Sequence, residues 1–76
     1  MKACNINTNL LIKHEGRESI ITGESKIMKT LIRWIKEYRN YEEINEDTFL
    51  LYTDVDFRGC KLKAKKLGCY IIEKNA

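Results

Sequence analysis

The stretch Thr48-Phe49-Leu50-Leu51-Tyr52-Thr53-Asp54-Val55-Asp56-Phe57-Arg58-Gly59-Cys60-Lys61-Leu62-Lys63-Ala64-Lys65-Lys66-Leu67-Gly68-Cys69-Tyr70-Ile71-Ile72 decides the architecture. Both of its ends are short apolar runs. Over 48–55, Phe49 and Leu51 face one way and Leu50 and Tyr52 the other; Cys69 and Ile71 oppose Tyr70 and Ile72 in the same manner. A strand apolar on both faces reads as central and covered on both sides. The middle is ambiguous. Phe57, Cys60, Ala64 and Leu67 fall on one helical stripe, yet Cys60, Leu62 and Ala64 also alternate with Lys61 and Lys63 as a strand would. Lys and Ala disfavour strands, and two doubly covered strands need a second helix. The spacing therefore predicts a helix over about 57–67, stopped by Gly68. The thirteen residues from Asp56 to Gly68 are close to the minimum for a parallel crossover.

Upstream, residues 3–14 alternate. Cys4, Ile6, Thr8, Leu10 and Ile12 share one side, and Asn5, Asn7, Asn9 and Lys13 the other, with Leu11 as the only break. This predicts a strand with one wet face. His14-Glu15-Gly16-Arg17 is a turn, and Ser19-Ile20-Ile21-Thr22 is a short returning strand ended by Gly23. Residues 25–41 form an amphipathic helix with Ser25 as N-cap. Its apolar stripe is Ile27, Leu31, Trp34 and Tyr38, widened by Met28, Ile32 and Ile35. The acidic stretch 42–47 reads as a loop. The expected order is ββαβαβ: a small α+β domain over 1–76, with one mixed four-stranded sheet, a long helix (about 25–41) and a shorter one (about 57–67).

Composition bounds the function. At 76 residues the chain has room for one thin core and little for a deep cleft. No run approaches the roughly 18 apolar residues of a membrane span, and the start has no apolar signal region. A cytoplasmic protein with no membrane partner is expected. Three cysteines, Cys4, Cys60 and Cys69, argue for reduced thiols rather than a disulfide framework, and their spacing from the lone His14 gives no zinc site. No cofactor is expected. Pro and Gln are absent while Ile and Lys each occur ten times, a bias that suggests an AT-rich genome, bacterial or phage.

The net charge of +3 hides three blocks: residues 1–41 carry +4, residues 42–56 carry −6, and residues 57–76 carry +5. Arg58, Lys61, Lys63, Lys65 and Lys66 form a basic patch on the predicted second helix, a contact surface for an acidic protein or for phosphates, or a solvated helix face. Aromatics are not interleaved with these lysines as in single-strand binders, and no nucleic-acid signature appears.

Thr53-Asp54-Val55-Asp56-Phe57-Arg58-Gly59 follows an apolar strand, and paired carboxylates at a strand end suit Mg²⁺. The stretch resembles the Asp-x-Asp segment of the Toprim family of topoisomerases, primases and the ribonuclease that matures 5S RNA. That family also carries a Glu-Gly after its first strand, matched here by Glu15-Gly16. The resemblance implies Glu15, Asp54 and Asp56 as metal-site acids in Mg²⁺-dependent phosphodiester chemistry. The chain departs from the family in lacking a helix between its first two strands and in having Cys60 where an acid commonly follows the glycine. Asp54 and Asp56 also suit a turn that caps the second helix.

The leading expectation is a non-enzymatic binding module, a regulator or inhibitor that docks on a macromolecule, with a protein partner favoured over nucleic acid. The alternatives are nucleic-acid binding through residues 58–66 and the Toprim-like chemistry. A homodimer is also open, if the first hairpin lies at a sheet edge and pairs through its Asn5, Asn7, Asn9 face.

Overall fold

The computed structural model describes residues 7–75. The expected strand start at 3–6, with Cys4, Asn5 and Ile6, lies outside them. The elements are β1 (Asn7–His14), β2 (Arg17–Glu24), α1 (Ser25–Tyr38), β3 (Tyr41–Asn45), β4 (Thr48–Leu51), α2 (Asp54–Lys66) and β5 (Tyr70–Asn75). The protein is α+β, with one mixed sheet of five strands in the order β3-β4-β1-β2-β5. β1 pairs antiparallel with β2 and parallel with β4, while β3–β4 and β2–β5 are antiparallel.

Alternation in β1 and β2 sends Leu10, Ile12 and Ile21 into the core, where Phe49 and Leu51 of β4 join them. Against this face lie Met28, Leu31 and Ile35 of α1 and Phe57, Cys60 and Ala64 of α2. Both helices thus cover the same side of the sheet. The opposite side is open: Leu11, Ile20 and Leu50 are only half-buried, and Tyr70 and Ile72 are exposed.

Three expectations are corrected here. First, the acidic loop at 42–47 is a strand followed by a turn at Glu46-Asp47. Adjacent glutamates hide any alternation, but an edge strand needs only Tyr41 half-buried on the core side, where its ring lies 5.1 Å from that of Phe49. The first helix accordingly ends at Tyr38 rather than 41, with Arg39 already extended (φ −126°, ψ 153°).

Second, the apolar runs in β4 and β5 are neither side by side nor covered on both faces. β1 and β2 lie between them, and β5 is an edge. β1 pairs with β2 along its whole length and with β4 over Leu11–Lys13 only, so Asn7 and Asn9 have β2 on one side and no strand on the other among the described residues. Third, the end of the returning strand and the cap of the first helix are shifted. Gly23 lies within β2 instead of ending it. Ser25 is not the N-cap of α1: that position is Glu24, which makes no side-chain cap bond, while the Ser25 hydroxyl lies 2.7 Å from Thr8 Oγ1.

The second helix is a helix, and its ends have visible causes. Thr53 Oγ1 accepts from the Asp56 backbone N–H at 3.0 Å and donates to Asp56 Oδ2 at 3.0 Å, an N-cap that starts α2 three residues before the expected position. Asp54 and Asp56 stand at the positive end of the helix dipole and Lys63, Lys65 and Lys66 at the negative end. At the C-terminus the Cys69 N–H reaches Ala64 O (2.9 Å) and the Gly68 N–H reaches Lys65 O (3.0 Å). This Schellman arrangement needs the positive φ of Gly68, +87°.

The β1–β2 turn places Glu15 at φ 45° and Gly16 at φ 79°. Two positive φ values fit the tight hairpin turn that prefers Asn-Gly, and a Glu in that region is strained. Its contact with His14 Nε2, at 3.6 Å with the Glu15 side chain 72% exposed, offsets little of this. Glu15→Asn is expected to raise unfolding free energy by about 0.5–1 kcal/mol, read in urea denaturation; an unchanged midpoint would contradict the strain.

Candidate functional site

The second helix docks along the stripe Asp56, Phe57, Cys60 and Ala64. Phe57 is buried, its ring 5.9 Å from that of His14. His14 donates from Nδ1 to the Leu51 carbonyl at 2.9 Å, so the only histidine is a buried tie between β1 and the end of β4. Two cations bracket the Phe57 ring: Arg17 Cζ at 4.9 Å and Lys61 Nζ at 4.7 Å from its centroid. Each also holds a carboxylate. Arg17 bonds Asp54, which Arg58 also reaches at 3.2 Å, and Lys61 Nζ lies 2.7 Å from Glu73 Oε1. Lys61–Glu73 joins α2 to β5.

These contacts frame a cleft of about 300 Å³ between α2 and β5, lined by Arg58, Lys61, Leu62, Lys65, Ile71 and Glu73. Three of the five predicted contact residues therefore meet in one place. Lys63 is turned to the other flank of α2, 5.7 Å from the Trp34 ring centroid, and lines a smaller hollow with Lys66, Arg39 and Gly59. Lys65 and Lys66 are exposed, and among the described residues neither makes a salt bridge. Around the cleft, four cations (Arg17, Arg58, Lys61, Lys65) face two carboxylates (Asp54, Glu73). The Lys61 hydrogen bond and charge hold the Glu73 carboxyl below the usual range, and bonds from Arg17 and Arg58 do the same for Asp54.

The cleft was half visible in the sequence. The lysine run marks its helical wall, whereas Ile71 and Glu73 come from ten residues farther on. The available signals were Leu62, an apolar residue off the buried stripe, and Glu73, the only acid after Asp56.

The acids singled out by the Toprim resemblance do not converge. Asp54 is shared by Arg17 and Arg58. Asp56 is buried at the Thr53 N-cap, with Arg39 Nη1 at 3.3 Å. Glu15 stands exposed in the β1–β2 turn. Among the described residues, no group of three or more His, Cys, Asp or Glu is arranged to hold a metal ion.

Gly59 also has an internal role. A Cβ there would come within 2.9 Å of the Arg39 guanidinium, which passes over the helix at this point to reach Asp56 and stacks 5.0 Å from Trp34. The thiols are quiet: burial pushes Cys60 up to about 12 and raises Cys69 as well.

No protein-family description, no curated protein and no solved structure matches the chain.

Two measurements check this construction. Gly59→Ala has unequal effects in two backgrounds. Alone it pushes the Arg39 guanidinium aside from Asp56, which offsets its helix-propensity gain; in an Arg39→Ala chain it raises stability by about 1 kcal/mol through helix propensity. Equal effects in both backgrounds would refute the crossing. Separately, NMR titration of Glu73 should give a midpoint below that of an ordinary glutamate, moving upward in Lys61→Met. The depressed carboxyl supports the α2–β5 tie at pH above the ordinary glutamate value, and that support is lost as pH falls through the folded midpoint. An unmoved midpoint in Lys61→Met would remove the tie.

Proposed function

We propose that the chain is a small non-enzymatic binding module that docks on a macromolecular partner, a protein rather than a nucleic acid, and acts as a regulator or inhibitor. The observation that carries this reading is the α2–β5 cleft, where four cations around two carboxylates stand beside uncovered apolar side chains at a sheet edge. Arg58 and Lys65 are exposed, and Leu62, next to them, is 61% exposed. Protein contact surfaces combine apolar area with a polar rim. A phosphate backbone asks for cations alone, and Glu73 inside the cleft opposes it. Against Mg²⁺-dependent chemistry, Asp54 and Asp56 are engaged by Arg17, Arg58, Thr53 and Arg39. No helix among the described residues is long and apolar enough to cross a membrane.

The test compares immobilised wild type with Arg58→Glu/Lys65→Glu on extracts of the native cell, with and without nuclease. A protein that survives nuclease and is retained at least tenfold less by the variant is expected, a loss of about 1.4 kcal/mol. Retention that disappears with nuclease, and tracks salt steeply on immobilised RNA or DNA, would replace this reading with nucleic-acid binding through residues 58–66.

A further inference from the structure

Two features remain without an assigned role, and they meet at β5. One is the open face of the sheet. Strand register aligns Ile72 with Ile20 and Ile20 with Leu11, an apolar row across three strands. Ile72 is 57% exposed, and beside it Tyr70 is 80% exposed. The other is the edge itself. All six residues of β5 are in register with Arg17–Thr22 of β2, while on its other side β5 pairs with no strand among the described residues. Unpaired N–H and C=O groups on an edge are a template for another strand.

Side chains of β5 alternate between these surroundings. Tyr70, Ile72 and Lys74 share the open face. Ile71 and Glu73 line the cleft with Arg58, Lys61, Leu62 and Lys65. A strand laid along β5 would continue this alternation. Its side chains on one face would extend the Ile72–Ile20–Leu11 row, and those on the other would stand over the cleft, where cations outnumber carboxylates.

From this geometry we infer that β5 is the receiving edge for an extended segment of a partner protein that alternates acidic and apolar residues, added as a sixth strand. The acidic side chains meet Arg58 and Lys65, and the apolar ones cover Ile72 and Tyr70. Main-chain hydrogen bonds supply affinity and the alternating pockets supply specificity, as in other strand-addition recognition. The inference rests on reading the cleft as a docking site and adds the conformation and residue pattern of what docks.

The probes are synthetic eight-residue peptides binding to the full chain, followed by fluorescence anisotropy. One alternates Glu and Val. A second has the same composition in two blocks, four Glu then four Val. A third is the alternating peptide N-methylated at its four central residues, which removes donors on both of its edges. The alternating peptide is expected to bind at least tenfold more tightly than either of the others. It should slow hydrogen exchange of the β5 amides not paired with β2, and lose at least tenfold in affinity with the exposed-site variant Lys65→Glu. Equal binding of the alternating, block and N-methylated peptides, weakened by Lys65→Glu, would overturn strand addition while leaving the cleft as an electrostatic docking site. Binding by none of them would overturn the inference, and the nuclease comparison would then decide the docking reading separately.

Discussion

The parallel contact between β1 and β4 sets the order of the sheet. It covers only three register pairs, Leu11–Thr48, Ile12–Phe49 and Lys13–Leu50. Apart from it and the return of β5 to β2, each half of the chain makes its own local structure: the β1–β2 hairpin leads into α1, and the β3–β4 hairpin into α2. Neither half buries enough alone, since an isolated hairpin is marginal in water. Setting Ile12 beside Phe49 places both helices over one continuous apolar surface. It also obliges α2 to carry the chain back across β1 and β2 before β5 can pair. The cleft exists because of this return: α2 leaves β4 near the sheet centre and arrives beside an edge.

Local signals were legible because their causes are local. The period-two pattern of β1, the helical stripe Phe57, Cys60, Ala64 and Leu67, and the glycine that closes α2 each depend on neighbours within a few residues. Sheet order was not legible. Leu50-Leu51 and Ile71-Ile72 read as two-sided burial, because an apolar run says that both faces are apolar and not that both are covered. In the fold one member of each pair faces the helices and the other faces the open side, where Leu50 is half-buried and Ile72 is exposed. The strand Tyr41–Asn45 was hidden because an edge needs little burial, and adjacent Glu42 and Glu43 mask its alternation. The same distinction governs the candidate site. The lysine run is contiguous and easily seen, whereas its pairing with Glu73 and its placement over Ile71 follow from tertiary return alone.

Charge shows how function and folding divide the same residues. Six acids over residues 42–56 look like one block. In the fold Asp54 and Asp56 belong to the start of α2, where they stabilise the helix end and hold Arg17, Arg58 and Arg39. Glu42 and Glu43 lie at the far edge of the sheet on β3, meeting Tyr52 and Lys36. The basic block divides similarly. Lys61 and Lys63 lie over aromatic rings, while Lys65 and Lys66 keep their charges exposed. The field presented outward is therefore sharper than +3 implies: an acidic edge at β3 and a basic one at β5.

That polarity bears on self-association. The two sheet edges have opposite charge, so the attractive contact between copies is head to tail, β3 of one against β5 of the next. Such a contact is heterologous and gives open chains unless the rotation closes a ring. A globular protein must oppose it, and β3 carries two devices that do. Glutamates occupy adjacent positions on the edge, and the register shifts between Glu43 and Asn45, an irregularity that twists a strand away from flat pairing. On the other edge, β5 pairs in unbroken register over all six residues and carries no such bulge. The two edges are thus unequally guarded. One edge is blunted, while the other is straight, apolar on its open face and cationic beneath, the combination on which the proposed strand addition rests.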